Sequence, residues 1–280
     1  MESNGYIVVT GANGGMGASL TESLVRRGCG VVMACRNTAK AEEVRRRIVA
    51  ACPAADVRLY GLDLASFDSV RSFTRQLQTD GLRVSALVNN AGVMNRDFAL
   101  TADGYEQNIG INYIGTYLLT RRMIPLLERG GCIVNTGSLT YRIGRVNEAM
   151  FVPDASRYTR FGSYGVSKQA VVLFTLELAE RLRESGLRVY AVDPGVVDTG
   201  IITMHRWFDP VVDGVFRPVI RTPQEGAERT LALLTGRAAD FAPTVYWGRR
   251  RPVKLSSRVL NNPYRSRLWA DTERIVAEWL

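Results

Sequence analysis

Short apolar runs rich in β-branched residues alternate with longer amphipathic segments along the first two thirds of the chain. This alternation predicts parallel strands connected by helices that pack on both faces of one sheet. Six strands are expected, at 6–10, 31–35, 57–61, 84–89, 132–136 and 188–192. Between them, apolar residues recur at intervals of three and four, which predicts helices near 15–27, 39–51, 67–78, 105–127 and 161–184. Ser66 is a suitable N-cap for the third of these helices.

The regular alternation ends after residue 195. An apolar stretch punctuated by proline and glycine follows at 196–223, and then a helix near 224–234, a strand near 244–247 and a C-terminal helix at about 264–279. A chain of 280 residues with 46% hydrophobic content can bury one substantial core. We therefore expect a single domain over 1–280, an α/β doubly wound parallel sheet of the Rossmann type.

The net charge of +9 and the pI near 9.7 would suit a nucleic-acid or anionic-membrane partner if the basic residues formed one patch. They are instead spread over most predicted helices, with short runs only at 45–47 and 249–251. No nucleic-acid partner is therefore expected, whereas peripheral contact with a membrane stays open. No early apolar run reaches the roughly 18 residues of a membrane span, so a cytoplasmic protein without an integral span is expected.

Metal chemistry has little support in the composition. The four cysteines show no CxxC spacing, and His205 is the only histidine, so no metal site is expected. His205 would also have to be the base of a serine hydrolase, but Ser138 lacks a nucleophile-elbow sequence.

A glycine-rich loop follows the first predicted strand and opens the first helix. Free backbone N–H groups at such a helix start, together with the helix dipole, suit the pyrophosphate of a dinucleotide. Its spacing, Gly-x-x-x-Gly-x-Gly, differs from GxGxxG, and a purely structural turn is the alternative. The expected cofactor-binding residues of the loop are Gly11, Asn13, Gly14, Gly15, Met16 and Gly17.

The end of the second predicted strand indicates which dinucleotide binds. An acidic side chain there commonly takes the ribose hydroxyls of NAD, but this chain has Arg36 and Asn37 instead. Arg36 can pair with a 2′-phosphate in a bidentate manner, helped by Lys40, so NADP is expected rather than NAD. The alternative is an ordinary surface arginine in an arginine-rich chain.

Tyr164 and Lys168 stand one helical turn apart, which places both side chains on one helix face. Lys168 is one of only three lysines, with Lys40 and Lys254, among 36 basic residues. A nearby ammonium ion is expected to lower the pKa of the tyrosine, which could then exchange protons with an alcohol or a carbonyl. Chance spacing is the alternative for this pair alone.

These features and their order resemble the short-chain dehydrogenases/reductases over nearly the whole chain. The resemblance rests on Thr10 to Gly17, Asp63, Asn89-Asn90-Ala91-Gly92, Asn112, Ser138, Tyr164, Lys168 and Pro194-Gly195. Within the family, the chain looks most like the NADP-preferring, retinol-dehydrogenase-like branch. That placement rests on residues 34–37, the long interval between Ser138 and Tyr164, and residues 222–227.

The resemblance implies a role for each of four catalytic residues. Tyr164 would be the general acid or base, and Lys168 would lower its pKa. Ser138 would hydrogen-bond the substrate oxygen, and Asn112 would hold a water that links Lys168 to solvent. Tyr164 and Lys168 would also contact the cofactor, Lys168 through the nicotinamide ribose hydroxyls.

The family likewise implies further cofactor contacts. Asp63 and Leu64 would contact the adenine, although Asp63 could merely cap the following turn. The floor beneath the adenosine ribose would be Asn90, Ala91 and Gly92, although this stretch could merely end a strand. The segment facing the nicotinamide carboxamide would be Pro194, Gly195, Val197 and Thr199.

A substrate pocket would form beside the serine and tyrosine, under a substrate loop at about 196–223. The apolar residues in this loop favour a lipophilic alcohol or carbonyl, but they could equally pack a subunit interface or the core. They are Ile201, Ile202, Met204, Trp207, Phe208, Val211 and Val215. The insert 139–161 would overlie the same pocket through Tyr141, Met150, Phe151 and Tyr158.

The expected activity is NADP(H)-dependent interconversion of an alcohol and its carbonyl, on a small molecule such as a retinoid or steroid. The alternative is a catalytically weak NADP-binding redox sensor or scaffold. Members of the family often pair through the helices here predicted at 105–127 and 161–184, so a homo-oligomer is possible.

Overall fold

One parallel sheet carries the whole architecture of the computed structural model, which describes residues 5–197, 221–236, 245–248 and 251–280. Within these ranges the sheet has seven strands in the order β3-β2-β1-β4-β5-β6-β7. Their bounds are β1 Tyr6–Thr10, β2 Val31–Cys35, β3 Val57–Gly61, β4 Val84–Asn89, β5 Leu127–Thr136, β6 Arg188–Val192 and β7 Tyr246–Trp247. The predicted doubly wound Rossmann-type fold is therefore confirmed.

Five of the six strands first predicted have the expected bounds, and β5 is the exception. It begins at Leu127, which pairs with Val84, five residues before the predicted start. The added residues include Glu128, which forms an ion pair with Arg83, and two glycines. Charged residues and glycines carry no apolar signal, so the pattern could not reveal this extension.

Helices cover both faces of the sheet, as the alternation of elements requires. They are α1 Gly15–Val25, α2 Thr38–Ala51, α3 Phe67–Thr79, α4 Gln107–Ile109, α5 Thr116–Met123, α6 Arg160–Arg181, α7 Pro223–Thr235, α8 Ser257–Leu260 and α9 Arg265–Ile275. The Ser66 side chain accepts a hydrogen bond from the Ser69 backbone N–H, which confirms its predicted capping role. Thr222 and Glu225 form a reciprocal capping box at the start of α7.

The segment predicted as one helix over 105–127 is instead a composite. A π-helix, Gly110–Gly115, separates α4 from α5, and a 3₁₀ turn, Ile124–Leu126, follows. A Cβ added at Gly115 would lie 2.2 Å from the Leu64 carbonyl oxygen, so the backbones of these two segments are in close contact. The Thr116 hydroxyl also donates to the Ile111 carbonyl. The π-helix depends on this close contact and on this side-chain hydrogen bond, and the 3.6-residue periodicity of apolar residues predicts neither.

Two hydrophobic clusters lie on opposite faces of the sheet. One packs the strands against α3, α5, α6 and α9, and the other packs them against α1, α2 and α7. A buried polar chain links β4 and β5 to the helices above them: Asn89 donates to Thr120 and Asn135, and Asn135 donates to Thr175. These bonds fix the carboxyl ends of the two central strands relative to α5 and α6.

The C-terminal helix α9 packs on α5 and α6 through an aromatic cluster. The Trp269 ring lies 5.0 Å from the Tyr117 ring and 5.9 Å from the Phe174 ring, measured between centroids. The Tyr113 and Thr272 hydroxyls are 2.6 Å apart. This chain's own C-terminal helix therefore covers the side of α5 and α6 that carries Tyr117 and Phe174.

Truncating Trp269 tests how much this cover stabilises the protein. We expect Trp269→Ala to lower the free energy of unfolding in urea by about 3–5 kcal/mol, because the side chain is 9% exposed and fills an aromatic cluster. Val152, which is 69% exposed, provides the control, since Val152→Ala should change stability by no more than about 0.5 kcal/mol. Equal effects of the two substitutions would contradict a stabilising role for α9.

Candidate active site

A cleft of about 620 Å³ lies along the carboxyl ends of the strands, where ligands bind in open parallel sheets. It gathers almost every predicted site residue. Those lining it are Gly11, Asn13, Gly14, Gly15, Met16, Gly17, Arg36, Asp63, Leu64, Asn90, Ala91, Gly92, Ser138, Tyr164, Lys168, Pro194, Gly195 and Val197. Of the other predicted catalytic and cofactor residues, Asn112 lies behind the wall, and Thr199 is outside the described residues.

The glycine loop forms one end of the cleft and is built around its own backbone. Gly11 has a φ of +62°, a conformation that side chains other than hydrogen rarely tolerate. A Cβ at Gly17 would lie 2.3 Å from the Gly11 carbonyl oxygen and 2.7 Å from Asn90 Nδ2. Gly14 is the N-cap of α1 and supplies no capping side chain, so the helix start can offer its N–H groups to an anion.

Thr10 holds the loop to the next strand end, and sequence reasoning assigned it no role of its own. Its hydroxyl accepts hydrogen bonds from the Asn90 and Ala91 N–H groups, at 3.0 and 2.9 Å. Asn90 Nδ2 donates to the Thr10 carbonyl at 2.8 Å. Hydrogen bonds therefore join the glycine loop directly to the Asn90–Ala91 segment, the two segments predicted to contact a dinucleotide.

Arg36, Asn37 and Lys40 line the cleft at the end of β2. The Asn37 side chain accepts a hydrogen bond from the Lys40 backbone N–H and caps α2. No acidic residue stands between Arg36 and Lys40. Asp63 lines the cleft and also accepts from Ala65 N–H at 2.9 Å. The predicted cofactor contact and the alternative of a turn cap are therefore compatible at this residue.

The catalytic candidates meet where β5 and α6 approach each other. Ser138 follows β5, its hydroxyl accepts hydrogen bonds from the Thr140 N–H and hydroxyl, and it also interacts with the Tyr164 phenol. Lys168 lies one turn after Tyr164, with Nζ 5.6 Å from the tyrosine ring centroid. The ammonium donates to the Thr136 carbonyl at 2.8 Å, which fixes it at the end of β5. Serine, tyrosine and lysine thus share one wall of the cleft.

The pKa values of this wall depart from the expectation. Burial raises the pKa of Tyr164 to about 12, the Asp193 charge acts in the same direction, and the hydrogen bond with Ser138 opposes them. The predicted lowering of the Tyr164 pKa was therefore wrong, because the burial of the phenol outweighs the lowering effect of Ser138. Burial also lowers the pKa of Lys168 to about 8, although Asp193 opposes this shift.

Asn112 lies in the π-helix and is 2% exposed. Its amide donates to the Val93 carbonyl and to the Ser167 hydroxyl, and its oxygen accepts from Val93 N–H. The residue thereby joins the loop after β4 to α6, directly behind Gly92. Its expected role in a water link to Lys168 remains a prediction.

The insert 139–161 lines the cleft through Thr140, Arg160 and Phe161, and not through the four side chains that were predicted. None of Tyr141, Met150, Phe151 and Tyr158 lines the cleft. Tyr158 is held by hydrogen bonds to Asn95 and Asn108, and Tyr141 packs against Tyr246. These contacts join residues far apart in sequence, which is why composition could not reveal them.

Other side chains provide an apolar end to the cleft. They are Val93, Met94, Ile111 and Phe161, of which Phe161 is 54% exposed. The predicted apolar loop residues between 201 and 215, and His205, lie outside the described residues. Within the described ranges, no three side chains of the metal-binding types cluster together, and no helix has the length and apolarity to cross a membrane.

The sheet topology, the glycine loop and the serine, tyrosine and lysine on one wall define a dinucleotide-binding oxidoreductase. The chain belongs to the short chain dehydrogenase family, which it matches over residues 5–206. It is 33% identical to retinol dehydrogenase 12 of Homo sapiens over 265 residues, or 94% of this chain and 83% of that protein. Retinol dehydrogenase 11 of Homo sapiens is also 33% identical, with the same coverage.

A solved structure supports the same fold. The crystal structure of an uncharacterised protein from Mycobacterium paratuberculosis is 33% identical, with a TM-score of 0.76. The match covers 98% of this chain and 93% of that one. The chain is therefore an oxidoreductase of the retinol-dehydrogenase-like branch, which interconverts alcohols and carbonyls with a nicotinamide cofactor.

Adding a methyl group within the glycine loop tests its tight packing. We expect Gly17→Ala to destabilise the protein by about 1–3 kcal/mol, because the new Cβ would collide with the Gly11 carbonyl and the Asn90 amide. Gly14→Ala is the matched control, since its Cβ would meet nothing closer than 3.6 Å and its φ of −91° suits any residue. Thermal melting of both variants would check this, and similar melting temperatures would contradict it.

Proposed function

We propose that this oxidoreductase uses NADP(H) and acts on a lipophilic alcohol or carbonyl. The observation that carries the proposal is the continuity of the cleft, which runs from Arg36 and the glycine loop to Ser138, Tyr164 and Lys168. A nicotinamide cofactor bound along it would supply or accept the hydride, and the chain's own residues would handle the proton.

The preference for NADP(H) is supported by the charges at the end of β2. Arg36 and Lys40 line the cleft there, and Asn37 takes the place of an acid. A carboxylate at this point would repel a 2′-phosphate, whereas a guanidinium binds it by two charge-assisted hydrogen bonds.

The proton chemistry follows from the states of the wall residues. With a pKa of about 12, Tyr164 is protonated at neutral pH and is ready to donate to a carbonyl oxygen during reduction. Ser138 interacts with the phenol and would also stabilise the oxygen that gains charge. Lys168, held by Thr136, has its Nζ 5.6 Å from the Tyr164 ring centroid, where a positive charge would oppose the effect of burial and favour loss of the tyrosine proton.

A lipophilic substrate is supported by the apolar end of the cleft. Val93, Met94, Ile111 and Phe161 line it, and such surfaces bind apolar ligand groups. The relatives named for retinol, itself a lipophilic alcohol, point to the same chemical class. Retinoid and steroid carbonyls are therefore the first compounds to test.

Removing the Tyr164 hydroxyl tests the catalytic role. We expect the wild-type protein to consume NADPH with at least one member of a panel of retinoid, steroid, quinone and aliphatic carbonyls. Tyr164→Phe should lower that turnover by about a hundredfold or more, because the variant has no proton to donate. Tyr60→Phe is the control, since this hydroxyl bonds Asp80 and does not line the cleft.

Two results would contradict the mechanism. Undiminished turnover by Tyr164→Phe would exclude this tyrosine as the acid. NADPH binding by the wild-type protein without turnover of any compound would favour the alternative of a redox sensor or scaffold.

Replacing Arg36 tests the cofactor preference. We expect Arg36→Ala to weaken NADPH binding by about ten- to a hundredfold, the loss of a charge-assisted hydrogen-bond pair, while NADH binding changes little. Arg46→Ala is a matched control, because Arg46 lies on α2, pairs with Glu42 and does not line the cleft. Fluorescence titration with both nucleotides would measure the difference, and equal losses for both would remove Arg36 as the phosphate ligand.

A further inference from the structure

Asp193 is a buried carboxylate beside the candidate active site, and sequence reasoning assigned it no role. It follows β6 directly and is 6% exposed. The pairing of β5 with β6 places Thr136 opposite Val192. Asp193 is therefore one residue beyond the strand position that faces Thr136, whose carbonyl accepts the hydrogen bond from Lys168.

The strand geometry also settles which face of the sheet carries this side chain. Side chains alternate along a strand, so Asp193 lies on the same face as Ala191. Ala191 belongs to the hydrophobic cluster that includes α6, and so does Tyr246, its neighbour on β7. Asp193, which directly follows β6, and Lys168 of α6 therefore lie within the same layer.

Among the described residues, the carboxylate accepts one direct hydrogen bond, from the Gly195 N–H to Oδ1 at 2.9 Å. Its other neighbours are charged or titratable. The cations are Lys168, Arg142 and Arg221, and the phenols are Tyr164 and Tyr246. The Tyr246 hydroxyl is buried and has no hydrogen-bond partner among the described residues.

Of the three cations, Lys168 is the one shielded from water. It is 4% exposed, whereas Arg142 is exposed and Arg221 is half-buried. Solvent screens the charges of the two arginines, but a buried ammonium interacts with a buried carboxylate in a much lower dielectric. The Asp193 charge therefore acts most strongly on Lys168.

We propose that Asp193 is a positioning residue whose buried charge helps Lys168, which is held by Thr136, to remain an ammonium ion beside Tyr164. This inference rests on the proposed function, because a neutral lysine could not support the loss of the tyrosine proton. Burial alone lowers the pKa of Lys168, and the carboxylate opposes that shift. Asp193 thus lets a buried lysine remain an ammonium ion over the neutral pH range.

The three lysines of the chain make the test direct. Protein labelled with ¹³C at the lysine ε carbon should give three NMR signals, assigned with Lys40→Arg and Lys254→Arg. In the wild-type protein without added nucleotide, the Lys168 signal should titrate near pH 8. We expect Asp193→Asn to lower that pKa by about one unit or more, because the ammonium loses its buried counter-ion.

Two control variants separate this effect from a general disturbance. Glu177→Gln neutralises another buried carboxylate on α6, which pairs with Arg181 and Arg265, and should leave the Lys168 titration unchanged. Arg142→Gln removes a competing cation and should leave the Lys168 pKa unchanged or raise it. If Asp193→Asn does not fold, Asp193→Ser removes the same charge with a smaller side chain. An unchanged or raised Lys168 pKa in the folded variant would overturn the proposal.

A pH profile of NADPH-dependent turnover gives a second readout. The alkaline limb of the profile should move to lower pH in Asp193→Asn, whereas a merely structural role would reduce the rate without moving the limb. The NMR titration needs no turnover, so a failure of the proposed function would be visible separately from a failure of the inference. An unmoved alkaline limb would count against the proposal.

Discussion

The burial of the Lys168 ammonium against the end of β5 is the constraint on which the candidate site depends. An unpaired charge in a protein interior costs several kcal/mol, so this lysine needs specific partners. The Thr136 carbonyl accepts one hydrogen bond, and the Asp193 carboxylate supplies the opposite charge. Both partners are placed by the pairing of β5 with β6, so the sheet register determines whether the lysine can remain charged next to Tyr164.

The helices that carry the site are held by buried polar bonds as much as by apolar packing. Asn135 at the end of β5 donates to Thr175 of α6, and Asn112 joins the loop after β4 to the same helix. Each of these bonds is made in the interior, where an unsatisfied amide would be costly. The aromatic contacts of Trp269 pack α9 against α5 and α6. The catalytic wall therefore stands on a scaffold with little freedom to shift.

The two ends of the cleft have different chemistry. Arg36 and Lys40 provide positive charge at the end of β2, whereas Met94, Ile111 and Phe161 provide apolar surface near Tyr164. A charged nucleotide and a lipophilic partner would each find a matching environment, with the proton-transfer residues between them. Membership of the short chain dehydrogenase family accounts for the common frame. The side chains at the two ends are where this chain would select its own cofactor and substrate.

Sequence patterns alone determined the succession of strands and helices along the chain, the glycine loop and most of the cleft residues, because period, turn chemistry and motif spacing are local properties. Asp193 carries no signal in the sequence, since an isolated aspartate belongs to no pattern. Only the tertiary structure decided three features: the π-helix around Asn112, the direction of the Tyr164 pKa shift and the cover of α6 by α9. Each depends on burial or on contacts between segments far apart in the chain, and neither quantity is encoded in the order of neighbouring residues.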